Sequence, residues 1–338
     1  MYAVFGNPVD KSLSPFIINQ ILDIETKKLT LNSKNISVND FLTIIYKENI
    51  SFGNVTYPYK EIFANFSDIL VFPANILKSI NCFKIVDKKI LATNTDGEGF
   101  FLGLKTIYSK IYYNLFNNPT IFILGSGSTA KSITLSAIRR GFFCYILSRD
   151  PKSKFTEFSK TKRVKVINYE EAISCLQIKM PNLIISTLPF SIKKVISFNN
   201  LTEKKRDTKK NKVMEFDNRF NIENIDINFR DFVLSLCKYN LDDSDNNQYN
   251  YRKNSSNKSS FDIFESNYQS EANLNKKEIE ELKITDLNIH NGLAQLIGQA
   301  ILSIKFFTGI NFSNESKIKE IYAQCEKYIN SATENNNR

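Results

Sequence analysis

The chain has 338 residues, of which 42% are hydrophobic and 24% charged, with a formal net charge of +10. That length suits two domains, and no apolar run approaches the ~18 residues that a membrane-spanning helix needs. Five cysteines, odd in number and never spaced Cys-x-x-Cys, argue against a disulfide framework or a thiolate metal site, and a single histidine, His290, excludes a multi-histidine metal centre.

Tyr2–Phe5 is a β-type run that meets a Gly-Asn-Pro turn. Ser12 and Ser14 follow, just before Pro15 and an apolar run of helical character. Two hydroxyls between a strand and a helix read either as a capping serine and a loop serine or as a cradle for a carboxylate. The start also lacks a basic, apolar leader pattern, since Pro8, Asp10 and Lys11 interrupt it, so a cytoplasmic protein is expected. Further on, SFGNVTYPYKEIFANF offers a strand end, a Pro turn and a helix start, and ILATNTDGEGFFLGLK offers a strand end, a polar turn and an amphipathic helix. Alternating β and α units predict a parallel sheet with crossover helices.

PTIFILGSGSTAKSITLSAIRRGFFCYILSRD has the form of a βαβ unit. Its Gly125-x-Gly127-x-x-Ala130 loop stands between a buried strand and a helix. The first glycine permits a tight turn, the second lets backbone approach a pyrophosphate, and the helix start offers free N–H groups to the anion. An ordinary strand-to-helix turn is the alternative. At the tip of the second strand stand Ser148, Arg149 and Asp150. Arg149 favours the 2′-phosphate of NADP, whereas Asp150 favours the free 2′-hydroxyl of NAD or a simple turn with Pro151. VKVINYEEAI and PNLIISTLPF supply further strands.

The lysine-rich EKKRDTKKNK, residues 203–212, carries much of the excess charge and reads as a solvated loop, so no nucleic-acid partner is expected. Residues 240–280 are rich in Asn, Ser, Asp and Lys without periodicity and are predicted to be a mostly disordered, dispensable insertion, with a docking role for its scattered Tyr and Phe as the alternative. NGLAQLIGQAILSIKFFTG and SKIKEIYAQCEKYI read as terminal helices, with His290 as a partly exposed helix-start residue.

In their order along the chain, GNPVDKSLSP, NVTYPYK, NTDGEG, GSGSTAK, LSRD and NGLAQLIGQA resemble the signatures of the shikimate dehydrogenase family. The resemblance covers most of residues 1–190 and 286–310, is weak from 190 to 240 and is absent from the predicted insertion. It implies two α/β domains: a parallel-sheet substrate domain (residues 1–100 with 286–338) and a Rossmann-type NADP domain (residues 101–285). The C-terminal helices would return to the substrate domain. The implied activity is the reversible NADP-linked reduction of 3-dehydroshikimate to shikimate, in chorismate and aromatic amino-acid synthesis, by a monomer or homodimer without metal or membrane partner. Alternatives are a quinate/shikimate dehydrogenase using NAD and a non-catalytic relative that binds nucleotide or shikimate.

Carried over residue by residue, the resemblance makes Lys60 and Asp96 the catalytic pair and Ser12, Ser14, Thr56, Asn81 and Gln299 the substrate contacts. Gly125, Ser126, Gly127, Ser128, Thr129, Ser148, Arg149 and Gly292 become cofactor contacts. Asn54 fixes loop geometry. The departures lie mainly on the cofactor side. Ser128 replaces the second glycine of Gly-x-Gly-Gly, Ser186-Thr187-Leu188 replaces Asn-Ala-Thr, and Gln295 replaces a methionine beside the nicotinamide. Lys78–Cys82 replaces Gly-Ala-Val-Asn-Thr, and a substrate-touching tyrosine falls at Asn218.

Overall fold

The computed structural model describes residues 1–32, 36–151, 155, 158, 160–178, 181, 183–188, 232, 261–266 and 287–336. The first part of the chain forms β1 (Tyr2–Gly6), α1 (Ser14–Leu22), β2 (Thr26–Thr30), α2 (Val38–Lys47), β3 (Phe52–Val55), α3 (Lys60–Phe66), β4 (Ile69–Leu70), α4 (Ala74–Leu77), β5 (Cys82–Val86), β6 (Lys89–Thr93) and α5 (Asp96–Ile107). The six strands form one sheet in the order β2-β1-β3-β5-β6-β4. β1 lies inside this sheet and is buried along its whole length, as a strand covered on both faces must be. α2 starts at a capping box, in which Ser37 and Asp40 each accept from the other's backbone N–H.

The sheet is parallel except for β5, which runs antiparallel to both β3 and β6. The reversal is local. Asp87 and Lys88 both adopt positive φ (49° and 61°), the signature of a two-residue hairpin turn, and fold β5 directly back onto β6.

The second part forms α6 (Ser109–Asn114), β7 (Thr120–Leu124), α7 (Ser128–Arg139), β8 (Phe143–Leu147), β9 (Val164–Ile167), α8 (Tyr169–Ile178), β10 (Leu183–Ser186), β11 (Phe261–Glu265) and β12 (Leu287–His290). These strands make a wholly parallel sheet in the order β12-β11-β10-β7-β8-β9. The chain ends with α9 (Leu293–Thr308) and α10 (Glu315–Asn336).

Several expectations are corrected. Residues 261–265 lie within the stretch predicted to be a disordered, dispensable insertion, yet they form β11, an interior strand between β10 and β12. Composition averaged over forty polar residues hid one short strand, whose Ile263 is fully buried. Replacing residues 243–275 by a linker would therefore delete a strand. β12, assigned from sequence to the substrate domain, pairs with β11 in the second sheet. His290 is the last residue of this strand, not a helix-start residue. Its ring stacks on Phe264 (4.4 Å, 18°) and leans on Tyr108 at 4.7 Å, and its Nε2 lies 2.8 Å from Asp262 Oδ1. The Tyr108 hydroxyl in turn meets that of Tyr322 on α10 at 2.8 Å. Asn218 falls outside the described residues.

The terminal helices pack on the first sheet, as expected. Leu293, Ile297, Ile301 and Ile304 of α9 and Ile318, Ile321 and Cys325 of α10 share a core with Tyr2, Val4, Ile17 and Ile18. α5 belongs to both halves, and the boundary expected at residue 100 falls inside it. Its Phe100, Phe101 and Leu104 pack with Ile121, Ile123 and Ile133 beneath the second sheet. Its glycines cross α9 in backbone contact: a Cβ on Gly99 would lie 2.6 Å from the Gln299 nitrogen, and one on Gly298 would collide with the Gly99 carbonyl. Only glycine permits this approach.

Candidate active site

Every strand of the first sheet except β5 runs the same way, so the residues after β1, β3 and β6 gather at one edge. Ser12 and Ser14 follow β1, Thr56 and Lys60 follow β3, and Asn94, Thr95 and Asp96 follow β6. Asn81 joins them because it precedes the reversed β5. The corresponding edge of the second sheet carries Gly125–Thr129 after β7, Ser148 and Arg149 after β8, Ser186 at the end of β10, Glu265 and Ser266 after β11, and Gly292 after β12.

At the first edge a buried carboxylate organises its neighbours. Asp96, 1% exposed, opens α5, where the helix start favours negative charge. Lys60 opens α3 and places its Nζ 2.6 Å from Asp96 Oδ2. Asn81 Nδ2 and Gln299 Nε2 each donate to Oδ1 at 2.7 Å, and the Thr129 hydroxyl donates to Oδ2 at 3.3 Å. Four donors thus fill the acceptor positions a carboxylate offers. Asn81 is itself fixed, with Oδ1 accepting from the Thr95 backbone N–H at 2.8 Å. Asn54, held by the Tyr2 hydroxyl at 2.8 Å, donates to the Asn81 carbonyl at 2.7 Å and so fixes loop geometry.

Lys60, Asp96, Asn81 and Gln299, chosen from sequence, are thus one hydrogen-bonded group. Ser12, Ser14 and Thr56 stand at the same edge without a side-chain bond to that group among the described residues. Ser12 Oγ accepts only a long 3.4 Å contact from the Ser14 backbone N–H, and α1 has no side-chain cap.

On the other side, Gly125 adopts φ +101°, and a Cβ there would lie 2.7 Å from Thr187 Oγ1. A Cβ on Gly127, the residue preceding α7, would meet nothing within 4 Å, leaving the helix start open. Ser148 Oγ donates to Ser126 Oγ at 3.2 Å, tying the loop to the β8 tip. Arg149 is exposed there, without an ion-pair partner among the described residues. A Cβ on Gly292 would lie 2.8 Å from the Glu265 carbonyl, so β11 and the start of α9 touch. Beside this contact is a small cavity lined by Phe100, Glu265, Gly292 and Gln295. Gln295 Oε1, Ser186 Oγ and Ser266 Oγ are buried without a hydrogen-bond partner among the described residues.

Sequence reasoning did not single out Ser79, Asn94 or Ser132, and read Ser128 only as a cofactor contact, yet these side chains join the two edges. Ser79 Oγ meets Ser128 Oγ. Ser132 Oγ donates to Asn94 Oδ1 and accepts from the Gly97 backbone N–H, both at 2.9 Å. Asn94 lies in the quoted NTDG block, and Ser132 stands on the buried face of α7, where a serine needs a partner. Cys82, Cys144 and Cys325 are buried and are not nucleophile candidates. Burial pushes the Cys82 thiol far up, Cys144 up to about 12 and Cys325 up to about 11. Among the described residues no group of three or more His, Cys, Asp or Glu could hold a metal ion, and no helix is long and apolar enough to cross a membrane.

Residues 4–83 match the family model described as the shikimate dehydrogenase substrate binding domain. A shikimate dehydrogenase (NADP(+)) from Buchnera aphidicola is 35% identical over 175 residues, spanning 49% of this chain and 62% of that protein. One from Clostridium botulinum is 31% identical over 195 residues, spanning 53% of this chain and 72% of that protein. The chain belongs to the shikimate dehydrogenase family. Solved members of the shikimate dehydrogenase family share its fold. Shikimate dehydrogenase 1 from Peptoclostridium difficile superposes with a TM-score of 0.60 at 19% identity, covering 97% of this chain and 98% of that one. Shikimate 5-dehydrogenase from Thermus thermophilus, in complex with NADP(H) and shikimate, does so with a TM-score of 0.60 at 16% identity, covering 96% and 98%.

Proposed function

We propose that the protein is an NADP-dependent shikimate dehydrogenase, reversibly reducing 3-dehydroshikimate to shikimate. The observation that carries this reading is the Lys60–Asp96 pair at 2.6 Å, with Asp96 buried and Lys60 partly so, at the edge of the first sheet and facing the glycine loop of the second. Lys60 gives its proton to the ketone oxygen during reduction and takes one back during oxidation. Asp96 holds the Lys60 Nζ in place through the 2.6 Å contact. Because Asp96 already accepts four donors, a substrate hydroxyl reaches it by displacing one of them. Gln299, half-buried at the end of a flexible side chain, is the one that yields, while the buried Asn81 stays. The hydroxyls of Ser12 and Ser14, at the start of α1, hold the substrate carboxylate, and Thr56 completes that wall.

The remaining polar groups fit a dinucleotide. The open start of α7 and the positive φ of Gly125 suit a pyrophosphate, and exposed Arg149 suits a 2′-phosphate. The partnerless Gln295, Ser186 and Ser266 atoms, near Gly292, suit the amide-bearing end. When bound, NADP supplies or receives the hydride.

The test is direct. Purified protein is mixed with shikimate and either NADP or NAD, and the absorbance of the reduced cofactor is followed. Faster reduction of NADP is expected. Inertness with both cofactors, or faster turnover of quinate with NAD, would overturn the reading.

A further inference from the structure

Thr129 occupies the second position of α7, the helix whose start faces the cofactor, yet its hydroxyl points across to the proton-transfer pair. Lys60 Nζ donates to Thr129 Oγ1 at 3.3 Å, and Thr129 Oγ1 donates to Asp96 Oδ2 at 3.3 Å. With the 2.6 Å ion pair these contacts close a triangle. In so tight a triangle one hydroxyl orientation cannot serve both contacts fully, and the one that bears on proton transfer is the contact it accepts from Lys60. An ammonium carries three protons. One goes to Asp96 and one to Thr129, which fixes the rotation about the last bond of Lys60 and leaves a single proton direction for the substrate oxygen.

We propose that Thr129 is a positioning residue for proton transfer: its hydroxyl orients the Lys60 ammonium from the cofactor-binding helix. This rests on the reading of Lys60 as the proton donor. The position of the hydroxyl is itself fixed from both sides. Ser128 bonds to Ser79, and Ser132 bonds to Asn94 and the Gly97 backbone N–H, so the first turns of α7 are held against the loops that carry Asp96. Seating of the cofactor phosphates on α7 and aim of the ammonium are therefore set by one rigid helix start. An alanine at this position would leave the second proton of Lys60 without a protein acceptor.

The experiment compares Thr129→Val, which keeps the shape and removes the hydroxyl, with Thr129→Ser, which keeps the hydroxyl. Thr129→Val is expected to lower kcat for shikimate oxidation about tenfold, the scale of one lost hydrogen bond to a charged group. The KM for shikimate and the dissociation constant of NADP measured by calorimetry should stay within about twofold. Thr129→Ser is expected to recover most of kcat. In a Lys60→Ala background, Thr129→Val should cost nothing further, because the group it positions is gone. An unchanged kcat in Thr129→Val, a loss confined to NADP affinity, a serine variant no better than valine, or losses that multiply in the Lys60→Ala background would each overturn the proposal. If Lys60→Ala alone retains turnover, the reading of Lys60 fails instead. Should Thr129→Val not fold, the serine variant decides alone, since wild-type stability with a tenfold lower kcat would refute the hydroxyl's role.

Discussion

Two amide side chains donate to the same oxygen of Asp96 at the same distance, 2.7 Å, and differ mainly in burial. Asn81 is 4% exposed, whereas Gln299 is half-buried. Asn81→Ala removes a hydrogen bond to a charged acceptor, worth about 1.5–3 kcal/mol. It also strands the buried Thr95 backbone N–H, which Asn81 Oδ1 accepts at 2.8 Å. An unsatisfied buried donor costs about 1–3 kcal/mol more. Allowing for partial relaxation, the loss should be about 3–5 kcal/mol, a large share of the roughly 5–15 kcal/mol that holds a typical fold together. Gln299→Ala removes a bond of equal length, but water reaches the vacated position, so about 1 kcal/mol or less is expected. Urea unfolding followed by circular dichroism measures both, with an unchanged m-value showing that the unfolded reference is the same. Equal losses in the two variants, or a loss below about 1 kcal/mol for Asn81→Ala, would refute the argument that burial rather than distance sets the strength of these bonds.

Lys60→Ala should lower turnover by about 10²–10⁴-fold with the fold intact, as steady-state kinetics and circular dichroism would show. Arg149→Ala should weaken NADP binding and leave NAD binding unchanged, because the exposed guanidinium at the β8 tip has only the 2′-phosphate to read; calorimetry with each cofactor separates the two. The double change Ser12→Ala, Ser14→Ala should raise the KM for shikimate by about 10–150-fold, the range of a charge-assisted hydrogen bond, with the KM for NADP unaltered. Burial pushes the Glu98 carboxyl up, but the Arg140 fork at 2.6 and 3.0 Å outweighs it, so the group ionises below its ordinary 4.5. Its stabilising effect is complete above pH 4.5 and is lost as pH falls through the lowered value; melting temperatures of Glu98→Gln should accordingly vary less with acidity than those of the parent.

Much of this architecture was legible because each motif carries its own local physics. The glycine loop between strand and helix, the Pro-containing turn before Lys60 and the polar turn before Asp96 each predicted an element that is present. That Lys60 and Asp96 meet was not legible from spacing, since 36 positions separate them and sheet topology alone brings them together. β5 and β11 were hidden for different reasons. The reversal of β5 depends on positive φ at Asp87 and Lys88, where no glycine announced it. β11 is a five-residue strand inside a polar tract whose average composition resembles that of an unstructured chain. In the sequence Ser128 and Thr129 read as cofactor contacts and Ser132 does not stand out, because nothing local reveals that serine and threonine near this helix start face another element.

His290 gives this protein a built-in reporter. It is the one imidazole in the chain, so its ring protons form a solitary pair of resonances free of overlap with any other histidine. Those protons lie against the face of Phe264 and beside Tyr108, where aromatic ring currents displace them from their free positions. The displacement exists only while the edge strand β12 is zipped to β11 and the end of α5 is in place against them. A single spectrum, without labels, thus records whether the far edge of the second sheet is assembled, and watching it during titration with cofactor or urea follows that edge separately from the catalytic pair.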